Sequence, residues 1–164
     1  MRSEPSIYEI LDAIANFLED IKVSVSVNLN QYILLLKSEN PPEISSLEEV
    51  VDIIDNNLIP LLEGHNRFFA FVSKNSLKIC IREVKLIDNY EKLEKERLNK
   101  ILNTDGDVKK LNKDLCERIK NKKIDLKDNS LKQHLIKTTM AKLSIDQPKY
   151  SGYLKALDDN YPKD

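Results

Sequence analysis

Two histidines, two cysteines and three glycines limit the chemistry open to this chain. His65 and His134 stand far apart, one in a turn and one on a helix beside Gln133, and each reads as a solvated or rim histidine rather than a general base. Cys80 and Cys116 lie near apolar stripes, as inert core thiols do. Glycine is too scarce to build a phosphate cradle from backbone amides, and neither H-E-x-x-H nor a paired C-x-x-C is present. Residues 103–107, Asn-Thr-Asp-Gly-Asp, hint at a calcium loop. The register defeats it: with Gly106 in the glycine position, Ile101 falls where the first oxygen ligand belongs and Asn112 where the bidentate glutamate belongs. No metal and no cofactor is expected. No spacing of carboxylates and tyrosines selects an acid and a base, so no catalytic residue is assigned and the reading leans away from an enzyme.

Two polar features carry more weight. Asn75 interrupts an amphipathic helix, where asparagine is a poor interior residue. It reads as a buried amide bonded to neighbouring backbone, or as a ligand contact in a groove between helices. The second feature is residues 142–153, KLSIDQPKYSGY. Here Asp146 and Gln147 close a helix end, Tyr150 and Tyr153 pack, and Gly152 permits a turn. The alternative is a partner-docking patch containing Lys142, Asp146, Gln147, Tyr150 and Tyr153, because tyrosines offer large rigid contact area with a polar tip.

The elements that must position these residues read as helices. Ser6 and Glu9 make a capping box, followed by Ile7, Ile10, Leu11, Ile14, Phe17, Leu18 and Ile21 at helical spacing. Ser46 and Glu49 repeat the box ahead of Leu47, Val50, Val51, Ile54, Leu58 and Leu61. Pro60 and Gly64 interrupt that run, and a second stripe follows: Phe68, Phe69, Val72, Ser76, Ile79, Cys80 and Glu83. Residues 46–85 thus form a helical hairpin. Asp88 or Asn89 caps a helix to about Leu102, Asp107 caps the next, and residues 130–145 form the last long helix before Pro148. The tail 147–164 packs in its first part and frays at DDNYPKD. The expectation is an all-α, single helical domain over 1–164, a bundle of about six helices with residues 38–45 as a linker.

An internal duplication is also expected. With a shift of 40, residues 6–18 match 46–58 at six of thirteen positions; residues 25–28 then resemble 72–75 with a shift of 47. Residues 6–37 become a degenerate first hairpin lacking the connection 60–66, and Asn28 becomes the counterpart of Asn75. Residues 22–29, KVSVSVNL, alternate like a strand, but a lone strand leaves backbone groups unpaired, so a helix over 24–37 is favoured.

Charge and hydropathy exclude some classes. A net charge of −1 is not that of a typical nucleic-acid binder, and no apolar run is long enough to span a bilayer. The N-terminus lacks the pattern of a signal peptide, and two cysteines imply no disulfide framework, so a cytoplasmic protein is expected.

Three stretches carry a resemblance. They are the pattern S-x-x-E to V-x-x-N-x-L from Ser46, then DGDVKKLNKDLCERIKNKKIDL, then LIKTTMAKLSIDQPKYSGY. Over about 46–153 the chain resembles a bacterial family of unknown function, typically encoded beside acyl-CoA dehydrogenase genes and a kinase gene of the aminoglycoside-phosphotransferase type. KLSIDQPKYSGY is the most specific part. The chain departs from the family in its extra first hairpin and in Phe71, where a basic residue often stands. The resemblance implies a non-catalytic accessory protein that binds the kinase or the dehydrogenase. The alternative is a small enzyme or acyl-CoA-type ligand-binding module with a groove near Asn75 and Tyr150. A homodimer through the hairpin is a third reading.

Overall fold

The computed structural model describes residues 5–40 and 42–159. Pro41 of the linker and residues 160–164 of the tail, Tyr161 among them, lie outside the described residues. The described residues form seven α-helices and no strand: α1 (Ile7–Ile21), α2 (Asn30–Leu36), α3 (Ile44–Ile53), α4 (Gly64–Leu102), α5 (Val108–Lys120), α6 (Asn129–Asp146) and α7 (Ser151–Asp158). The all-α reading therefore holds. The chain divides into two compact units, Arg2–Val84 and Lys85–Asp164. The 39 residues of α4 contribute 64–84 to the first and 85–102 to the second.

In the first unit α1 begins as its sequence dictates. The Ser6 hydroxyl accepts the Glu9 amide at 3.3 Å and Glu9 accepts the Ser6 amide at 2.6 Å, so two orphan donors are satisfied at once. Leu11, Ile14, Leu18 and Ile21 are buried in a single core with Ile33 and Leu36 of α2, Leu47, Val50 and Val51 of α3, and Ala70 and Leu77 of α4. The two expected hairpin regions thus share one core. Tyr32 on α2 donates to the Glu49 carboxylate on α3 at 3.1 Å.

Three local features differ from what the sequence predicts. Ser46 and Glu49 form no capping box, because α3 starts three residues earlier, after an extended Glu43. Nothing after Pro42 forbids helix, and the earlier start brings Ile44 onto the core. Residues 22–29 are neither strand nor helix. Ser24 bonds back to the Ile21 carbonyl through both its amide and its hydroxyl, and Asn28 accepts the Asn30 amide at 3.2 Å. The period-two pattern instead tucks Val25, Val27 and Leu29 against the core while Val23 stays exposed. Asn28 therefore stands in a loop and Asn75 within a helix. Helix α4 also runs unbroken through residues 85–88. No helix ends there, since Asp88 and Asn89 can cap a helix but cannot stop one that keeps every backbone donor.

The reversal between α3 and α4 has two causes. Pro60 has no amide hydrogen, and its ring meets the carbonyl four residues back in a regular helix. The turn ahead of it widens: the Ile59 amide bonds Ile54, five residues back, at 2.9 Å. Gly64 then takes φ +53, in the left-handed region. Lys74 on α4 ties the widened turn down by donating to Asp55 at 2.8 Å.

The second unit is built on leucines. Leu98 and Leu102 of α4 pack with Leu111 and Leu115 of α5 and Leu131 of α6. Asp107 caps α5 by accepting the Lys110 amide at 2.9 Å, as expected, and Asp128 caps α6 through the Leu131 amide. The tail is helical as far as Asp158, with α7 against α6.

Gly64→Ala is expected to cost about 1–2 kcal/mol, the price of a left-handed L-residue, since open space surrounds its Cβ position. Gly106→Ala is expected to be near neutral, its Cβ meeting Leu111 at an ordinary 3.5 Å. Urea denaturation of the two variants checks the difference.

Candidate functional site

The side chains singled out in the sequence fall on both units. Asn75 is on α4 in the first unit and is solvent-exposed, so it is not a buried amide. Lys142, Asp146, Gln147, Tyr150 and Tyr153 are in the second unit. The Gln147 amide closes α6 by donating to the Leu143 carbonyl at 2.9 Å. Tyr150 precedes α7 and is half exposed, while burial pushes the Tyr153 phenol up, with Tyr90 nearby adding to it. Gly152 makes no turn. It lies in the first turn of α7, where a Cβ would fall 2.6 Å from Cε1 of the Tyr150 ring. Its smallness lets that ring fold over the helix start.

The second unit also holds polar clips between helices. Tyr90 and Ser144 hydroxyls meet at 3.0 Å, Arg97 donates to Thr138 at 3.3 Å, and Asn112 donates to the buried Glu94 at 2.8 Å. His134 is buried, not solvated, because it falls on the α6 face that also carries Leu131, Ala141 and Ile145. Cys80 is buried as expected, but Cys116 is exposed, one position beyond Leu115 on α5. Among the described residues no group of three or more His, Cys, Asp or Glu side chains is placed to hold a metal ion.

A concavity lies in the first unit, between α1 and the start of α4. It is a groove of about 530 Å³, within the size range of ligand and docking sites. Both walls come from positions beside the core stripes, as a helix rotates about 100° per residue. On α1, Ile10, Ala13 and Phe17 flank the buried Leu11, Ile14 and Leu18, and Glu9, Asn16 and Asp20 form the outer edge. On α4, Phe69, Val72, Ser73 and Ser76 line the opposite wall, with Asn66 at its start. Phe17 and Phe69 meet across the groove with ring centres 6.1 Å apart.

Phe69 belongs to a small aromatic cluster. His65 lies edge-on to it at 4.6 Å and Phe68 at 5.8 Å, and Phe68 is 61% exposed. Phe71 is covered by the Lys74 ammonium, 5.0 Å from the ring centre. Among the described residues that line the groove the ionisable side chains are two acids, Glu9 and Asp20. The backbone amide of Ser6, and then its hydroxyl, hold the Glu9 carboxyl below the usual range, so it remains ionised well into acid.

Sequence spacing puts Ile10 and Phe17 on the α1 stripe and Phe69, Val72 and Ser76 on the α4 stripe, but it does not show them as two walls of one groove. The available signal was the breadth of the α1 apolar sector: Ile10, Ala13 and Phe17 widen it beyond what one core contact needs. Asn75 does not line the groove; its neighbours Ser73 and Ser76 do.

Residues 60–150, more than half of the chain, match the model of a domain of unknown function, DUF6285. The chain belongs to this family. No curated protein and no solved structure matches it significantly. The family segment begins at Pro60 and takes in α4, α5 and α6. It supplies one wall of the groove, whereas α1 lies ahead of it.

The pairing of Asp55 with Lys74 links the stability of the first unit to pH. The hydrogen bond from Lys74 holds the Asp55 carboxyl below the ordinary aspartate value, more than desolvation raises it. A depressed folded-state pKa contributes stability above the unfolded value and loses it as pH falls through the folded one. Asp55→Asn is therefore expected to flatten the acid limb of the stability–pH curve and leave its shape above neutrality unchanged, measured by thermal melts across that range.

Proposed function

We propose that the protein is a non-catalytic accessory module whose α1–α4 groove receives a segment of a partner enzyme. The observation that carries this reading is the groove itself: an open, largely apolar channel with half-exposed Phe69 and Val72 in its wall. An apolar surface left facing water between two helices gains free energy when a partner covers it. The partner class follows from the family resemblance, namely the phosphotransferase-like kinase or the acyl-CoA dehydrogenase. A cytoplasmic location belongs to the same proposal. Two free cysteines support it, and no helix of the described residues is long and apolar enough to cross a membrane.

The acyl-CoA alternative is less well supported by this geometry. Coenzyme A is polyanionic, and the ionisable groups at the groove among the described residues are Glu9 and Asp20. Like charges at the edge disfavour such a headgroup.

Ala13 tests the reading directly, because it lines the groove yet is exposed. Ala13→Gln places a longer side chain in the channel and keeps a good helix former. The unaltered chain should co-purify with the partner enzyme at micromolar concentration, and Ala13→Gln should lose most of that association at an unchanged melting temperature. Absence of association by the unaltered chain would overturn the proposal, while light scattering separates partner binding from self-association.

A further inference from the structure

We infer that the groove takes an amphipathic helix of the partner whose apolar stripe is bordered by lysine or arginine, with those cations meeting Glu9 and Asp20. The inference rests on the docking role proposed above and adds the chemistry of the docking segment. A helix suits this channel better than an extended peptide. The backbone groups of α1 and α4 are already bonded along their ladders, so the walls offer nothing to the unpaired amides and carbonyls of a strand. A third helix satisfies its own backbone and packs its side chains between Phe17, Phe69 and Val72.

The charge requirement comes from two carboxylates and, among the described residues, no opposing base in the lining. Asp20 is the more telling of the two. It occupies the last turn of α1, where no basic residue stands and where the helix dipole disfavours an anion. Its neighbour Glu19 is paired with Lys22, whereas Asp20 has no ion-pair partner among the described residues. A carboxylate kept at a locally unfavourable place, at the edge of an apolar channel, fits a role in recognition better than a role in folding. Glu9 sits at the favourable end of the same helix, ionised by its cap. The two acids are eleven residues apart, roughly 16 Å along the axis, so the matching cations are expected about three helical turns apart.

The test uses the full chain and two synthetic amphipathic helical peptides with the same leucine stripe, one bordered by lysine and one by glutamate. Binding is read by fluorescence anisotropy at about 50 mM and about 300 mM salt, a rise that shortens the screening length by a factor of about 2.4. The expected result is binding of the lysine peptide that weakens with salt, and binding of the glutamate peptide at least about ten-fold weaker. Glu9→Gln with Asp20→Asn should weaken the lysine peptide about five-fold and remove most of its salt dependence. Gln is tolerated in a capping box, so this pair preserves the fold.

Val72→Asn separates the two levels of inference. If it abolishes binding while the charge variant binds both peptides like the unaltered chain, the cation requirement is overturned and the groove stands. If neither peptide binds, or Val72→Asn changes nothing, both inferences fall. Displacement of the lysine peptide by palmitoyl-CoA at lower concentration would also overturn them, in favour of an acyl ligand.

Discussion

The burial of one stripe of α1, Leu11, Ile14, Ala15, Leu18 and Ile21, is the contact on which the first unit depends. That stripe meets residues from α2, α3 and α4 in a single core. Removing such area from water is the dominant favourable term in folding. It also sets the rotation of α1 about its axis. Once Leu11 and Leu18 point inward, Ile10, Ala13 and Phe17 must lie to one side and Glu9, Asn16 and Asp20 beyond them. The groove is a by-product of this geometry. It exists because the apolar sector of α1 is wider than the core can cover.

The start of α4 is constrained in the same way. Pro60 and Gly64 turn the chain by removing a donor and by adopting a left-handed conformation that other residues resist. After that turn, Ala70 and Leu77 face the core and place Phe69 and Val72 on the open side. Backbone chemistry at two residues therefore fixes which side chains α4 presents.

Much of this was legible in the sequence because it is local. The capping box at Ser6, the cap at Asp107 and the break at Pro60 are decided within a few residues, and each is where the residues say it should be. The failures arose where local signals competed with packing. Ser46 could cap a helix, but an earlier start partly buries Ile44 against the core. Asp88 could begin a helix, but nothing there ends the one already running. The valines of residues 22–29 alternate like a strand while serving a loop pressed against the core. Asn75 drew notice as an odd residue in a helix, yet helical rotation turns it to solvent and leaves Ser73 and Ser76 on the groove wall. An oddity of residue type is visible in one dimension. The pairing of two half-used helix faces is not.

The double use of α1 has a thermodynamic consequence. One helix carries both the inner stripe and the outer wall, so any occupant of the groove binds the folded unit and not the unfolded chain. Linkage then makes the occupant a stabiliser in proportion to the logarithm of its concentration over its dissociation constant. Local opening of α1 exposes the hydrophobic interior to proteases, and the occupied form opens less often. If the groove is occupied as proposed, cellular abundance of this chain would follow that of the occupant, an excess over it being cleared first. Stoichiometry would be enforced by degradation rather than by matched synthesis.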